Sequence, residues 1–551
     1  MLLEKIRNWL KQNGYDAAVV NHADEFLNEY LTPDKEKLKA VTGFSGSAGE
    51  AIITQNDKML FTDSRYTEQA RQQSDFTVVE SNMNMGVDWA KEHLKGKKIA
   101  FYAKSHSTAW IEYVQDQLKG LNITLVPIFR SPVESFWVDR PAPVKPKTMN
   151  YPLEYAGLSS EEKIRQVAQK VIDANMDAVI LGSAESVSWL LNKRGFSNPQ
   201  VPIYLERGVV FADGTYEKLT TKVLDDLMGK RVMTDFRSFP YDLYARWGKI
   251  AHVVNKPDPV AGLKSIKNPI EIENIKEACL FESAVICEFL AYVETHKDTA
   301  TELTCATELV RLRKKNPLYI ADSFDAIVAS GPHAALAHYH ADMKSSVNIN
   351  AYPMLLVDTG GQYLNGTTDM TRTIAINAPS KLMKRRYTEV LKGHIALAAS
   401  TVKVGDTPAV IDKKAHQFLR EDGADYYHAT GHGIGMFLSV HESPPTIHER
   451  SKTPLYANMV FSNEPAVYDV ENGFGIRLEN MLLSIPYGKG ELAFENLTFI
   501  PFDGRLVDFD MLTTDEKNWL RSYHKQILID VFPQLKQKTR EILMPLMNYF
   551  L

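Results

Sequence analysis

Two proline-rich interruptions, Arg140-Pro-Ala-Pro-Val-Lys-Pro146 and Asn255-Lys-Pro-Asp-Pro259, limit what this chain can fold into. Proline has no N–H and a fixed φ, so neither stretch can continue a helix or a central strand. At 551 residues the chain is also too long for a single hydrophobic core. The two breaks therefore predict three segments, 1–150, 151–260 and 261–551.

The first two segments read as α/β. Leu3, Ile6, Trp9 and Leu10 recur at helical spacing and predict a helix over 2–13. Short apolar strands are expected at 16–20, 50–54 and 59–62, with a turn at Gln55-Asn-Asp57. The second segment repeats the order helix then strand: Ser159-Ser-Glu-Glu162 offers a helix cap, and Asp177-Ala-Val-Ile-Leu-Gly182 reads as a strand. A weak duplication is expected from that order. The third segment opens with helical patterns at 270–296 and 301–315 and alternates strands and helices to about residue 505. It ends on an amphipathic helical pattern from Lys517 to Phe532.

Composition removes several function classes. A formal charge of −5 provides no basic field for nucleic acid or an anionic membrane. No stretch approaches the roughly 18–20 apolar residues that span a bilayer. Only Cys279, Cys287 and Cys305 are present, an odd and sparse set that fits a reducing compartment. Charges at Glu4, Lys5 and Arg7 break the apolar run that a signal peptide needs. A cytosolic protein is expected, with no nucleic-acid or membrane partner.

The chemistry concentrates in the third segment. Asp358 in Leu-Leu-Val-Asp-Thr-Gly-Gly and Asp369 in Gly-Thr-Thr-Asp-Met-Thr-Arg-Thr sit beside ladder-like sequence, where aspartate is disfavoured. Asn365-Gly366 between them signals a hairpin. A reversal there brings the two carboxylates close, although the position of the turn leaves the register open. Two ionised carboxylates at that range repel unless a cation lies between them. Alone, the pair is a weak signal. His428 and His432 lie among Gly431, Gly433 and Gly435, which exclude a helical HxxxH zinc site and suggest a backbone passing close to a buried site. His441 follows, and Glu464 and Glu479 each lie in apolar, strand-like sequence. Asp358, Asp369, Glu464 and Glu479 balance two divalent ions, with His432 as the neutral donor. This oxygen-rich set suits manganese, while cobalt, iron or zinc could occupy it. A water shared by two such ions hydrolyses amides.

The motifs DTGGQYLNGTTDMTRT, HATGHGIG, NEPAVY and GIRLEN resemble those of the pita-bread metallopeptidases. That group includes methionine aminopeptidase, prolidase, creatinase and aminopeptidase P. Over its whole length the chain is similar to the long, three-domain cytosolic form of the aminopeptidase P family. Thr42-Gly-Phe-Ser-Gly-Ser-Ala-Gly49 and Leu60-Phe-Thr-Asp-Ser-Arg65-Tyr resemble its creatinase-like first domain.

The resemblance implies two creatinase-like α/β domains followed by a pita-bread catalytic domain, α/β and α+β together. It implies that Asp358 chelates one metal, that His432 and Glu464 hold the other, and that Asp369 and Glu479 bridge them. Glu464 would act as general base, with His338, His428 and His441 lining the substrate. Tyr468 would pack against a proline ring, and Arg477 would orient the bridging carboxylates. His333 and His340 flank His338, which weakens that assignment. His394 and His416 read as surface residues, and Arg65 as a loop salt bridge. The implied substrates are peptides with proline at the second position, and the implied assembly is a homodimer. A prolidase is the alternative enzyme, and a catalytically inert pita-bread binding module the alternative of another class.

Overall fold

A computed structural model describes residues 2–81, 86–248 and 252–551. The chain forms two compact units: Met1–Tyr151, Leu158–Asn198 and Pro202–Ala261 make one, and Pro152–Gly157, Pro199–Val201 and Gly262–Leu551 the other.

The first unit contains two sheets with one plan. In the first, strand Ala17–Asn21 runs antiparallel to Glu50–Thr54 and parallel to Lys98–Tyr102. In the second, Ala178–Leu181 runs antiparallel to Gly208–Phe211 and parallel to Arg231–Thr234. Each sheet then continues through an antiparallel strand on one side and a parallel strand on the other. The first sheet adds Thr77–Glu80, giving six strands against five. This shared order is the duplication expected from the sequence. Leading helices fall at Leu2–Asn13 and Ser160–Asp173, the latter opened by a Ser159/Glu162 capping box. Arg65 forms the expected local ion pair, with its guanidinium 2.8 Å from Asp63.

The second unit begins with helix Pro269–His296, whose 28 residues start from an Asn268/Glu271 capping box with proline in the first turn. Helix Glu302–Arg313 follows. A three-stranded sheet orders Ile327–Ser330, Met354–Thr359 and Met370–Ala375, and a six-stranded sheet centres on Val460–Asn463 and Asn480–Tyr487. Helices Lys381–Ala398 and Ala409–Glu421 pack against each other in the same unit.

Three expectations need correction, and the tail adds a helix beyond the expected one at 517–532. His394 and His416 are buried, at 0% and 3% exposure, because the faces of their helices that carry them turn into the core. The tail forms two helices, Thr514–Asp530 and Gln537–Met547, and Ile527, Leu543, Met547 and Phe550 join the main core. The reversal after Asp358 turns at Leu364-Asn365, since Tyr363 pairs with Gly366. Gly366 instead lies against helix Pro269–His296, where a Cβ would meet Ile275 Cδ1 at 2.7 Å. Finally, Glu464 and Glu479 stand just beyond strand ends rather than inside strands, and their amides donate to the Thr430 and Thr371 carbonyls at 2.8 and 3.0 Å.

Candidate metal centre

The strand register decides how the aspartates meet. Asp358 pairs with Thr371 and Thr359 with Met370, so Asp369 lies one step outside the ladder and two residues along from Asp358's partner. That diagonal places Cβ atoms about 7–8 Å apart or less, within reach of two carboxylates turned toward each other. Both side chains are buried.

His432 occupies strand Gly431–Gly433. A Cβ at Gly431 would lie 1.8 Å from the Ser462 carbonyl oxygen. The glycine therefore serves a close approach between neighbouring strands, where the sequence had suggested an approach to the site. His432 Nδ1 donates to the Gly433 carbonyl at 2.9 Å, which turns Nε2 toward Asp369 Oδ2 at 3.5 Å and Glu464 Oε1 at 3.3 Å. Ser462 Oγ accepts from the His432 amide at 3.0 Å and donates to Glu464 Oε1 at 3.1 Å. Donor atoms of Asp369, His432 and Glu479 all lie within 4.8 Å of one another.

Two buried oxygens identify what the cluster lacks. Asp358 Oδ2 accepts from Arg477 Nη2 at 2.5 Å, and Glu479 Oε2 accepts from Thr371 Oγ1 at 2.7 Å. Asp358 Oδ1 and Glu479 Oε1 have no hydrogen-bond partner. A buried carboxylate oxygen without a donor is costly unless a cation meets it. Protonation reports the same tension. Burial, with the charges of Asp369 and Glu464, pushes Asp358 up to about 6 against the pull of Arg477. Burial and three neighbouring carboxylates hold Glu479 well above the usual range. Burial opposes the charge on His432, yet the Asp369 hydrogen bond and the Glu464 charge raise it to about 9. Glu464 is lowered, since His432, His428, Arg477 and His441 outweigh its burial. Four carboxylates that compete for so few protons form a donor set fitted to divalent cations.

A chain of contacts runs outward from Asp358. Arg477 Nη1 donates to the Tyr468 hydroxyl oxygen at 2.5 Å, and that hydroxyl lies 3.0 Å from His428 Nε2. His428 Nδ1 donates to the Ala429 carbonyl at 2.7 Å, which turns Nε2 toward the tyrosine hydroxyl. Tyr468 was expected to offer only its ring; its hydroxyl also links arginine to histidine. The His441 ring stands edge-on to His432, 4.4 Å between centroids. His338 is half-buried in the segment after strand Ile327–Ser330, whose Ile327 pairs with Asp358. His333 is committed elsewhere, with Nδ1 2.8 Å from Glu302 and its ring stacked on Tyr339.

Sequence reasoning passed over Thr371, Ser462 and Arg372. Arg372 is buried and donates to the Glu479 carbonyl at 2.7 Å and to Asn480 Oδ1 at 2.8 Å. Its only signal was proximity to Asp369 in DMTRT, which does not distinguish a support from an exposed charge.

Paired α/β domains followed by a carboxylate-rich cluster at the ends of strands define a metal-dependent hydrolase. The chain belongs to metallopeptidase family M24. The model of that family matches residues 273–484 and that of its C-terminal region 490–545. Two models of the creatinase/prolidase N-terminal domain match 3–129 and 139–216. A probable Xaa-Pro aminopeptidase P from Coccidioides posadasii is 31% identical, with 95% of each chain covered. One from Laccaria bicolor is 32% identical over 98% of this chain and 91% of its own. The crystal structure of X-prolyl aminopeptidase from Caenorhabditis elegans, described as a cytosolic enzyme with a di-nuclear active site, superposes with a TM-score of 0.92. It is 27% identical over 98% of both chains.

Proposed function

We infer that this protein is a metalloaminopeptidase that hydrolyses the first peptide bond of peptides with proline in second place. The observation that carries this reading is the donor group of Asp369, His432 and Glu479, together with the unpartnered carboxylate oxygens of Asp358 and Glu479. Asp358 would hold one divalent ion, His432 and Glu464 the other, and Asp369 and Glu479 both. Two ions held there would supply a water of lowered pKa and a positive charge beside the scissile carbonyl. The oxygen-rich donor set favours manganese. Glu464 would accept the proton of the attacking water, while His428 and His441 donate to substrate oxygens and His338 lines the scissile bond. Arg477 holds Asp358 in orientation. We place domain boundaries near 150 and 260, and the separate family matches at 3–129, 139–216 and 273–484 support three successive domains. We take the enzyme to be a cytosolic homodimer. Support for its location comes from the description of the Caenorhabditis elegans enzyme, and among the described residues no helix is long and apolar enough to cross a membrane. The homodimer rests on family resemblance.

The test is a matched dipeptide, tripeptide and pentapeptide series. Arg-Pro-Pro and longer peptides should be cut at the first bond. Alanine at the second position should lower kcat/KM by orders of magnitude, since the Tyr468 ring would then meet no proline ring and the substrate loses the fixed φ of proline. A strong dipeptide preference would instead identify a prolidase.

The link between Tyr468 and His428 separates two roles of the tyrosine. Tyr468→Phe keeps the ring and should lower kcat by about tenfold, the value of one strong hydrogen bond, with KM nearly constant. His428→Ala should lower kcat while metal content stays normal, whereas His432→Ala should lose metal. Metal loss from His428→Ala but not from His432→Ala would reverse the ligand assignment.

A further inference from the structure

Helix Lys381–Ala398 lies behind the cluster and carries a residue that the mechanism leaves unused. His394 is fully buried, with its ring edge-on to Phe502 at 5.5 Å and to Trp519 at 6.3 Å between centroids. An apolar side chain would fill such a place without the penalty of burying imidazole. The imidazole has a use: Nδ1 lies 3.2 Å from the Leu478 carbonyl oxygen, to which it donates. The backbone carbonyl of the same residue accepts from Asn463 Nδ2 at 3.0 Å.

Those two partners immediately precede the two glutamates. Asn463 is followed by Glu464, and Leu478 stands between Arg477 and Glu479. The Leu478 amide donates to the Pro465 carbonyl at 3.3 Å, which ties the segments to each other as well. Asn463 and Asn480 are paired across the ladder, so both chains leave regular pairing at the place where their glutamates turn toward the cluster. Each glutamate's own amide is held by one neighbouring carbonyl, Glu464 by Thr430 at 2.8 Å and Glu479 by Thr371 at 3.0 Å, while the residue before each is tied elsewhere. Here one residue on a third element holds both exits. Burial and the nearby Arg372 charge press the imidazole down to about 3, so it stays neutral with its proton available to Leu478.

We propose that His394 is a positioning residue for Glu464 and Glu479, acting through Leu478 and Asn463 to set the geometry in which the two carboxylates receive metal. This rests on the dimetal reading above. It differs from a core role in what it changes: a packing residue sets stability, whereas a brace sets metal affinity.

The experiment strips wild-type protein and variants with chelator and titrates each with MnCl2 by calorimetry, alongside a urea unfolding curve. His394→Leu should weaken at least one Mn2+ site by about 10–100-fold, as loss of a supporting hydrogen bond does. His394→Asn, which returns an N–H near the Nδ1 position, should recover most of that loss. Asn463→Ala removes the other arm and should weaken binding in the same direction, which decides the question if His394→Leu does not fold. Wild-type affinity in a folded His394→Leu or in Asn463→Ala would overturn the proposal, as would an asparagine variant no better than the leucine one. Failure of wild-type protein to bind two Mn2+ ions would overturn the dimetal reading itself.

Discussion

Replacing Glu464 by glutamine is expected to lower kcat by at least about a hundredfold, the low end for loss of a general base. Two functions are removed together. The side chain lies 3.3 Å from His432 Nε2 as a second donor of the cluster, and it is the carboxylate whose pKa is lowered by its cationic surroundings. Glutamine keeps the shape but cannot accept the proton of water, and its amide group would present a donor to a cation. Steady-state kinetics on an Xaa-Pro tripeptide, with metal content measured by elemental analysis, separates the two losses. A variant with both metals and undiminished kcat would remove Glu464 from the chemistry.

Chelation is expected to abolish hydrolysis, with manganese restoring it best. The metal-free fold must keep four carboxylates close together, and it does so by binding protons. Asp358 rises from 3.8 to about 6, and His432 from 6.5 to about 9. A folded-state pKa above the unfolded value means that the fold binds more protons than the unfolded chain, so stability falls as pH rises through that interval. For Asp358 the loss runs from 3.8 to about 6, and for His432 from 6.5 to about 9. Glu479 has the same sign. Glu464, whose pKa is lowered, contributes stability that is lost only in acid, below its ordinary value of 4.5. The stripped protein should therefore melt at a lower temperature at pH 9 than at pH 6. Bound cations replace those protons, so the gain in Tm on adding Mn2+ should be larger at the higher pH. Each ion held at a hundredfold excess over its Kd adds about 2.7 kcal/mol. Full activity in protein verified as metal-free would defeat the mechanism and favour metal-free, creatinase-like hydrolysis.

Much of this architecture was legible along the chain. The helix cap at Ser159, the helical patterns at 2–13 and 270–296, and the apolar strand runs act through neighbours a few residues away, so the elements they predict appear where expected. The meeting of Asp369, His432 and Glu479 was legible too, because carboxylates in apolar sequence are rare without a compensating charge. The tertiary structure alone decided the rest. Arg477 reaches Asp358 across 119 residues, and His394 reaches Leu478 across 84. No periodicity encodes a pairing at that separation. Whether Gly431 faces a ligand or a neighbouring strand, and whether His394 is exposed or braces two glutamates, depends on which elements pack together. Packing is a property of the folded chain as a whole, set by which apolar faces find one another, and local sequence chemistry specifies those faces without specifying their partners.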